Sequence, residues 1–252
     1  MAKQRHLTNA PVTEAVVDVR VALAQDFDVA RLEKLPREVA DKYCHSEALR
    51  TFSGSFGFDN ELQTVKSETQ DQGIVGYAFK MENASRVVQL RKDGFTFSKL
   101  KPYETWEKLR DEAADLWKIY VGIAKPEAIS RVALRFINHL NIPVPGDNFD
   151  FDEYLTCAPR VPQELPQGIA NFFYRVIIPN PSTGAVAVVH QAFESIDTKF
   201  VSVSVILDID VYMQKDFDVE SGAFWDTLEQ LRNFKNDIFF SYIHEKTVEL
   251  FE

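Results

Sequence analysis

The sequence predicts an α+β protein, a single domain made of two similar halves, residues 12–125 and 126–248. Each half reads strand, helix, three or four antiparallel strands, long helix. Three observations lead there. Apolar and polar residues alternate strictly in several stretches, the signature of strands with one buried face. Many of those stretches are joined by short turns rich in Asn, Asp, Gly and Ser, which favours antiparallel neighbours. Two longer stretches carry apolar residues at helical spacing, and both begin Trp-x-x-Leu, at Trp106/Leu109 and Trp225/Leu228. Such pseudo-duplicated units should form a curved, mainly antiparallel sheet with helices on one face and the other face free for contacts.

The first strand is Val12–Leu23, with Ala15, Val17, Val19 and Val21 on one face and Glu14, Asp18 and Arg20 on the other. Val29, Leu32, Leu35, Val39 and Tyr43 then recur at helical spacing, with Pro36 placed to kink or split the helix. Residues 51–100 read as strands broken by turns at Asp71-Gln72-Gly73, Asn83-Ala84-Ser85 and Lys92-Asp93-Gly94. Trp106, Leu109, Ala113, Leu116, Trp117 and Tyr120 predict an amphipathic helix following Pro102. Ala128–Ile142 is a strand that Pro143 and Pro145 end, followed by a short helix near Asp150–Leu155 and a proline-rich loop. Strands at Ile169–Ile178, Ala185–Glu194 and Lys199–Tyr212 precede a long helix starting near Ser221.

Composition narrows the class. Of 252 residues, 45% are hydrophobic and 26% charged, and mean hydropathy is −0.21, so the chain can bury a core without a metal or disulfide staple. The basic, polar start lacks the apolar run of a secretory signal, and two distant cysteines, Cys44 and Cys157, suit a reducing compartment; a cytoplasmic protein is expected. No apolar run is long enough to span a bilayer. The net charge of −10 opposes a role in gripping phosphate backbones, so nucleic acid is an unexpected partner.

Asp-Phe-Asp occurs at 26–28, 150–152 and 216–218, each time ahead of a helix, where an aspartate serves better as a cap than as a metal ligand. Asp208 and Asp210 share a strand face opposite a run of valines, isoleucine and leucine, and are read as its wet side. Arg131, Arg135 and His139 likewise share one face of their strand. Together with Glu14, Asp18, Arg20 and Arg91, and with Arg175 as a further member, they could meet on the free sheet face. That cluster is either a set of cross-strand ion pairs, the favoured reading, or a site for an anionic ligand or a partner's acidic side chains. Asn138 falls on the apolar face and needs an internal hydrogen-bond partner. The five histidines and two cysteines show no zinc spacing, and neither a P-loop, a G-x-S-x-G elbow nor a G-x-G-x-x-G loop occurs; no metal or cofactor is expected.

Four blocks together resemble an uncharacterised, sporadically distributed prokaryotic family of about this length. They are Leu7-Thr8-Asn9-Ala10-Pro11-Val12-Thr13-Glu14-Ala15-Val16; Val88–Ser98 with Leu100-Lys101-Pro102-Tyr103 and Trp106; Arg131–Asn138; and Leu231-Arg232-Asn233-Phe234-Lys235-Asn236 with Phe239-Phe240. The resemblance implies no activity, cofactor or catalytic residue. Its patchy distribution is similar to that of accessory genes on mobile elements, including antiviral defence and toxin–antitoxin modules.

The sequence therefore favours a non-catalytic binding or regulatory protein that uses its open sheet face, or grooves between its halves, to hold a protein partner, one that a neighbouring gene could encode. Homo-oligomers are compatible with the sequence. The alternative is a small-ligand or nucleotide site, hydrolytic in one version, built on Glu14, Asp18, Arg131 and Arg135.

Overall fold

The computed structural model describes residues 2–59, 64–144, 149–196 and 202–252. Its strands are β1 (Val12–Ala22), β2 (His45–Asp59), β3 (Thr64–Lys80), β4 (Arg86–Arg91), β5 (Gly94–Leu100), β6 (Ala128–Pro143), β7 (Phe173–Asn180), β8 (Ala185–Ile196) and β9 (Ser202–Phe217). They form one nine-stranded sheet in the order β2-β3-β4-β5-β1-β6-β9-β8-β7, every pairing antiparallel. Outward from the central β1–β6 pair each half reads alike: first strand, last strand, then the preceding strands in reverse. Its ends, β2 and β7, are open edges.

The helices are α1 (Arg37–Ala40), α2 (Trp106–Ala124), α3 (Ala223–Tyr242) and α4 (Glu245–Val248). None in the described chain is long and apolar enough to cross a membrane. Both long helices lie on the same side of the sheet. Paired core-facing residues Ala15↔Phe136, Val17↔Leu134 and Val17↔Phe97 fix that side. Phe95 meets Trp117 of α2 edge-on at 5.7 Å, and Trp117 meets Phe224 of α3 at 5.4 Å. Phe95, Phe136 and Phe224 are almost fully buried, and truncating any one to alanine would cost about 3–5 kcal/mol. Helix α2 starts where Thr105 accepts a hydrogen bond from the Lys108 amide at 3.3 Å and ends at Lys125 in the left-handed conformation.

The expected helix through 29–43 is instead a 3-10 turn, Val29–Leu32, and the single turn α1, because Pro36 interrupts the hydrogen-bond ladder between them. The expected turn at Asp71-Gln72-Gly73 is a bulge inside one long strand: the β2–β3 register slips around Arg50, and Asp71 accepts from the Gly73 amide at 2.8 Å. Gly73 has φ +90°, a conformation a side chain would strain. The final strand begins at 202 and runs to 217, five residues beyond its expected end. Of the three Asp-Phe-Asp segments, Asp28 and Asp150 cap 3-10 turns. Asp218 accepts from Glu220 in the turn ahead of α3, and it is the Ser221 hydroxyl that accepts from the first helical amide, Ala223, at 3.3 Å.

Residues 2–9 lie against the C-terminal helices. The Ala2 amide donates to the carbonyls of Phe240 and Ile243, the Asn9 amide to Phe251, and Arg5 pairs with Glu245 at 2.7 Å and Glu252 at 2.6 Å.

Candidate functional site

The polar residues predicted to face away from the helices do so, and register decides which of them meet; Asp208, expected on a wet face, is instead buried at 6% exposure because Arg135 and His190 cover it. Asp18, near the middle of β1, is the hub. One of its oxygens accepts from Arg20 at 3.1 Å and from Arg131 at 3.0 Å; the other accepts from Arg91 at 3.1 Å and the Thr96 hydroxyl at 2.8 Å. Arg131 also reaches Asp210 at 3.6 Å and lies 4.5 Å over the Tyr212 ring, while Arg20 and Arg91 both bond Asp93. Four residues along β6 from Arg131, Arg135 grips Asp208 through both oxygens at 2.8 and 2.7 Å, with His190 at 3.3 Å from the same carboxylate. Burial raises the Asp210 carboxyl, against the pull of Arg131 and Arg135.

Of the nine predicted residues, Asp18, Arg20, Arg91, Arg131 and Asp210 thus form one network, and Arg135 with Asp208 a second beside it. His139 stands apart, paired with Glu194 at 3.2 Å. Glu14 makes no hydrogen bond to a described residue and acts on Arg135 only through its charge. The arginines are held by carboxylates already, so a phosphate would have to displace an existing partner before binding there. Asn138 finds its internal partners, donating to the carbonyls of Phe136 at 3.2 Å and Leu207 at 2.8 Å.

Toward β7 the sheet changes character. Seven large apolar residues are exposed in the described chain, and four are in this strand: Phe173 at 65%, Tyr174 at 41%, Val176 at 44% and Ile177 at 51%. The strand's outer backbone is also without a partner among the described residues. The Phe193 amide donates to the Phe172 carbonyl, which sets the alternation: residues 174, 176 and 178 bond β8, while Phe173, Arg175 and Ile177 turn their N–H and C=O groups outward. Pro179, which has no N–H, occupies the next outward position, as that parity requires. Arg175 has no ion pair among the described residues. On the helix side, Tyr174, Val176, Val189, Gln191, Cys157 and Tyr242 line a hollow of about 160 Å³. Gln191 is 2% exposed; its amide nitrogen donates to the Cys157 carbonyl at 3.0 Å, which fixes its orientation and leaves its buried oxygen without a partner among the described residues.

A larger cavity, about 420 Å³, opens where residues 4–12 cross α3. Its wall includes Tyr103 from the segment ahead of α2 and Trp106 from its first turn, Phe136 and Asn138 from β6, and Arg232 and Lys235 one turn apart on α3. The Lys235 ammonium lies 4.1 Å from the centre of the Phe136 ring. It makes no hydrogen bond or ion pair with any described residue, although the neighbouring Arg232 is held by Glu229 at 2.8 Å. Burial lowers the Lys235 ammonium to about 7, and Arg232 pushes the same way; no carboxylate opposes them.

Sequence reasoning missed Gln191 and Lys235. Gln191 was recoverable, since it alternates with Val189 and Ala187 on the core face of β8. Lys235 follows Phe234 in a helix and carried no such signal. A third group, Cys44, His45 and Glu82, brings a thiol, an imidazole and a carboxylate within 4.8 Å at the surface, where Glu82 meets His45 at 2.8 Å and Cys44 at 3.2 Å. No protein-family model matches the chain, and no curated protein matches it either.

Proposed function

We propose that the chain is a non-catalytic binding protein that receives an extended segment of a partner protein along β7. The observation that carries this reading is the concentration of exposed apolar side chains on a strand whose outward N–H and C=O groups are unpaired. A segment added there would extend the sheet by one strand, gaining main-chain hydrogen bonds and burying side chains on both faces. Its chemistry follows from the edge: apolar residues on both faces, an acidic residue opposite Arg175, and a donor such as a tyrosine hydroxyl or indole N–H in the hollow beneath Gln191. A buried acceptor without a partner costs about 1–3 kcal/mol, which such a donor would restore. A second copy of this chain fits less well, because each copy carries a net charge of −10.

The mutually paired network around Asp18 and Asp208 serves, in this reading, as a rigid, nearly neutral middle of the sheet, separated from the edge by β8. We read the two halves as copies of one unit, of which the second concentrates exposed apolar side chains on its edge strand, while the described side chains of β2 show Phe52. The family resemblance directs the search for the partner toward products of neighbouring genes in an accessory system.

Co-purification from the native host, identification of the bound protein and reconstitution from purified components test the proposal. Ile177→Lys should weaken the reconstituted complex by at least about tenfold while leaving the melting temperature of the free chain within a few degrees. Binding unchanged by Ile177→Lys would overturn it, as would a homodimer that this substitution splits.

A further inference from the structure

We infer that the cavity between the N-terminal segment and α3 binds a small organic carboxylate, its charge paired with Lys235 and its apolar body lying against Phe136, Phe239 and Phe240. This site is separate from β7 and independent of the reading given for that edge.

The cavity is built from distant parts of the chain. The Arg5 salt bridges and the Ala2 and Asn9 amide bonds hold residues 2–9 in place as one wall. Tyr103, Phe136, Arg232 and Lys235 come from three other segments. Its volume of about 420 Å³ lies in the range of small-molecule pockets, and its lining sets the apolar side chains of Phe136, Phe239 and Phe240 among many polar and charged ones.

Charge selects the ligand. The charged and titratable groups that share the cavity lining with Lys235 are Arg232 on its own helix, Glu104 just ahead of α2 and Glu107 in its first turn, and Arg5 and His6 on the N-terminal wall. Arg5, Arg232 and Glu104 are already paired: Arg5 with Glu245 and Glu252, Arg232 with Glu229, Glu104 with Lys99 at 2.7 Å and with Lys108. Glu107 lies beyond ion-pair distance of Lys235 and exerts no resolved pull on it. What remains is one ammonium, resting on a ring, with a cation as its only influential charged neighbour. A bound carboxylate would supply the missing counter-charge. The Tyr103 hydroxyl, which has no hydrogen-bond partner among the described residues and whose ionisation burial disfavours, is a donor for its second oxygen. A bare inorganic anion would leave the aromatic floor uncovered, so the apolar body is part of the assignment.

Phenylacetate is the probe, with benzyl alcohol as its neutral counterpart and inorganic phosphate as the bare anion. At about pH 6 and up to about 10 mM, phenylacetate should raise the melting temperature in a dose-dependent way, and the other two should not. Because only the ammonium form pairs with the anion, affinity should fall roughly thirtyfold between about pH 6 and pH 8.5. In NMR of lysine labelled at Cε, Lys235 should titrate near neutrality alone and at higher pH with phenylacetate bound. Lys235→Met and Lys235→Gln should both fold and both lose the effect. The inference fails if phenylacetate gives no shift, if either variant binds it as well as the parent does, if phosphate matches it, or if Lys235 titrates at its ordinary value.

Discussion

Replacing Lys235 by methionine should make the protein more stable, and by an amount that depends on pH. The ammonium titrates at about 7 in the folded chain against an ordinary 10.5. At 1.36 kcal/mol per tenfold change in proton affinity, holding that charge in the cavity costs roughly 4–5 kcal/mol at most. Lys235 keeps part of its surface, so solvent should reduce the penalty to about 2 kcal/mol. Its contact with the Phe136 ring, worth about 1 kcal/mol, is lost with the charge. The net gain for Lys235→Met is therefore about 1 kcal/mol at neutral pH, since methionine nearly matches the length of the lysine stem. Here the folded form binds the proton more weakly than the unfolded chain does. The penalty is consequently full below about pH 7 and is relieved as pH rises toward about 10. Urea unfolding followed by the fluorescence of Trp106, Trp117 and Trp225 measures the difference at several pH values. A variant that is less stable throughout, or a gap that stays constant between about pH 6.5 and 9.5, would refute the electrostatic reasoning.

Three further outcomes follow from the charge network and the surface pairs. Asp18→Ala strips four donors of a partner 15% exposed, and urea unfolding should show a loss of about 3 kcal/mol; under about 1 kcal/mol would mark the network as ordinary surface pairing. Hydrogen bonds from Lys108 and Lys99 lower the Glu104 carboxyl to about 2, below its unfolded value, so its contribution is present above about pH 4.3 and lost as pH falls toward 2. Acid unfolding of Glu104→Gln should lack that part of the slope, and identical profiles would contradict it. The hydrogen bond to Glu82 raises the Cys44 thiol, so Glu82→Gln should speed its alkylation by iodoacetamide at about pH 8, and an unchanged rate would remove that bond from the account.

Much of the fold is legible in the sequence, because β1, β4 and α2 write their burial in periods of two or 3.6 residues, whereas β5 is buried almost throughout. The Asp71-Gln72-Gly73 bulge is not, since the same residues that turn a hairpin also accommodate an extra residue within a strand, and only the β2 partner decides between them. The charged outer face was predictable residue by residue, while its pairing was not. Asp18 becomes a hub because β5 and β6 flank β1, an order fixed by long-range pairing. Lys235 shows the limit most clearly. Its position in α3 reads as a solvent-facing cation, and its surroundings exist only once residues 4–12 cross the helix from the far end of the chain.

The claim that β7 is a docking edge is tested most directly by residue-resolved amide hydrogen exchange. In the free chain the amides of Phe173, Arg175 and Ile177 should exchange rapidly, while those of Tyr174, Val176 and Ile178 are protected by β8. With the reconstituted partner bound, the first three should become protected too. Uniform protection along β7 in the free chain, or an exchange pattern that the partner leaves unchanged, would contradict the account.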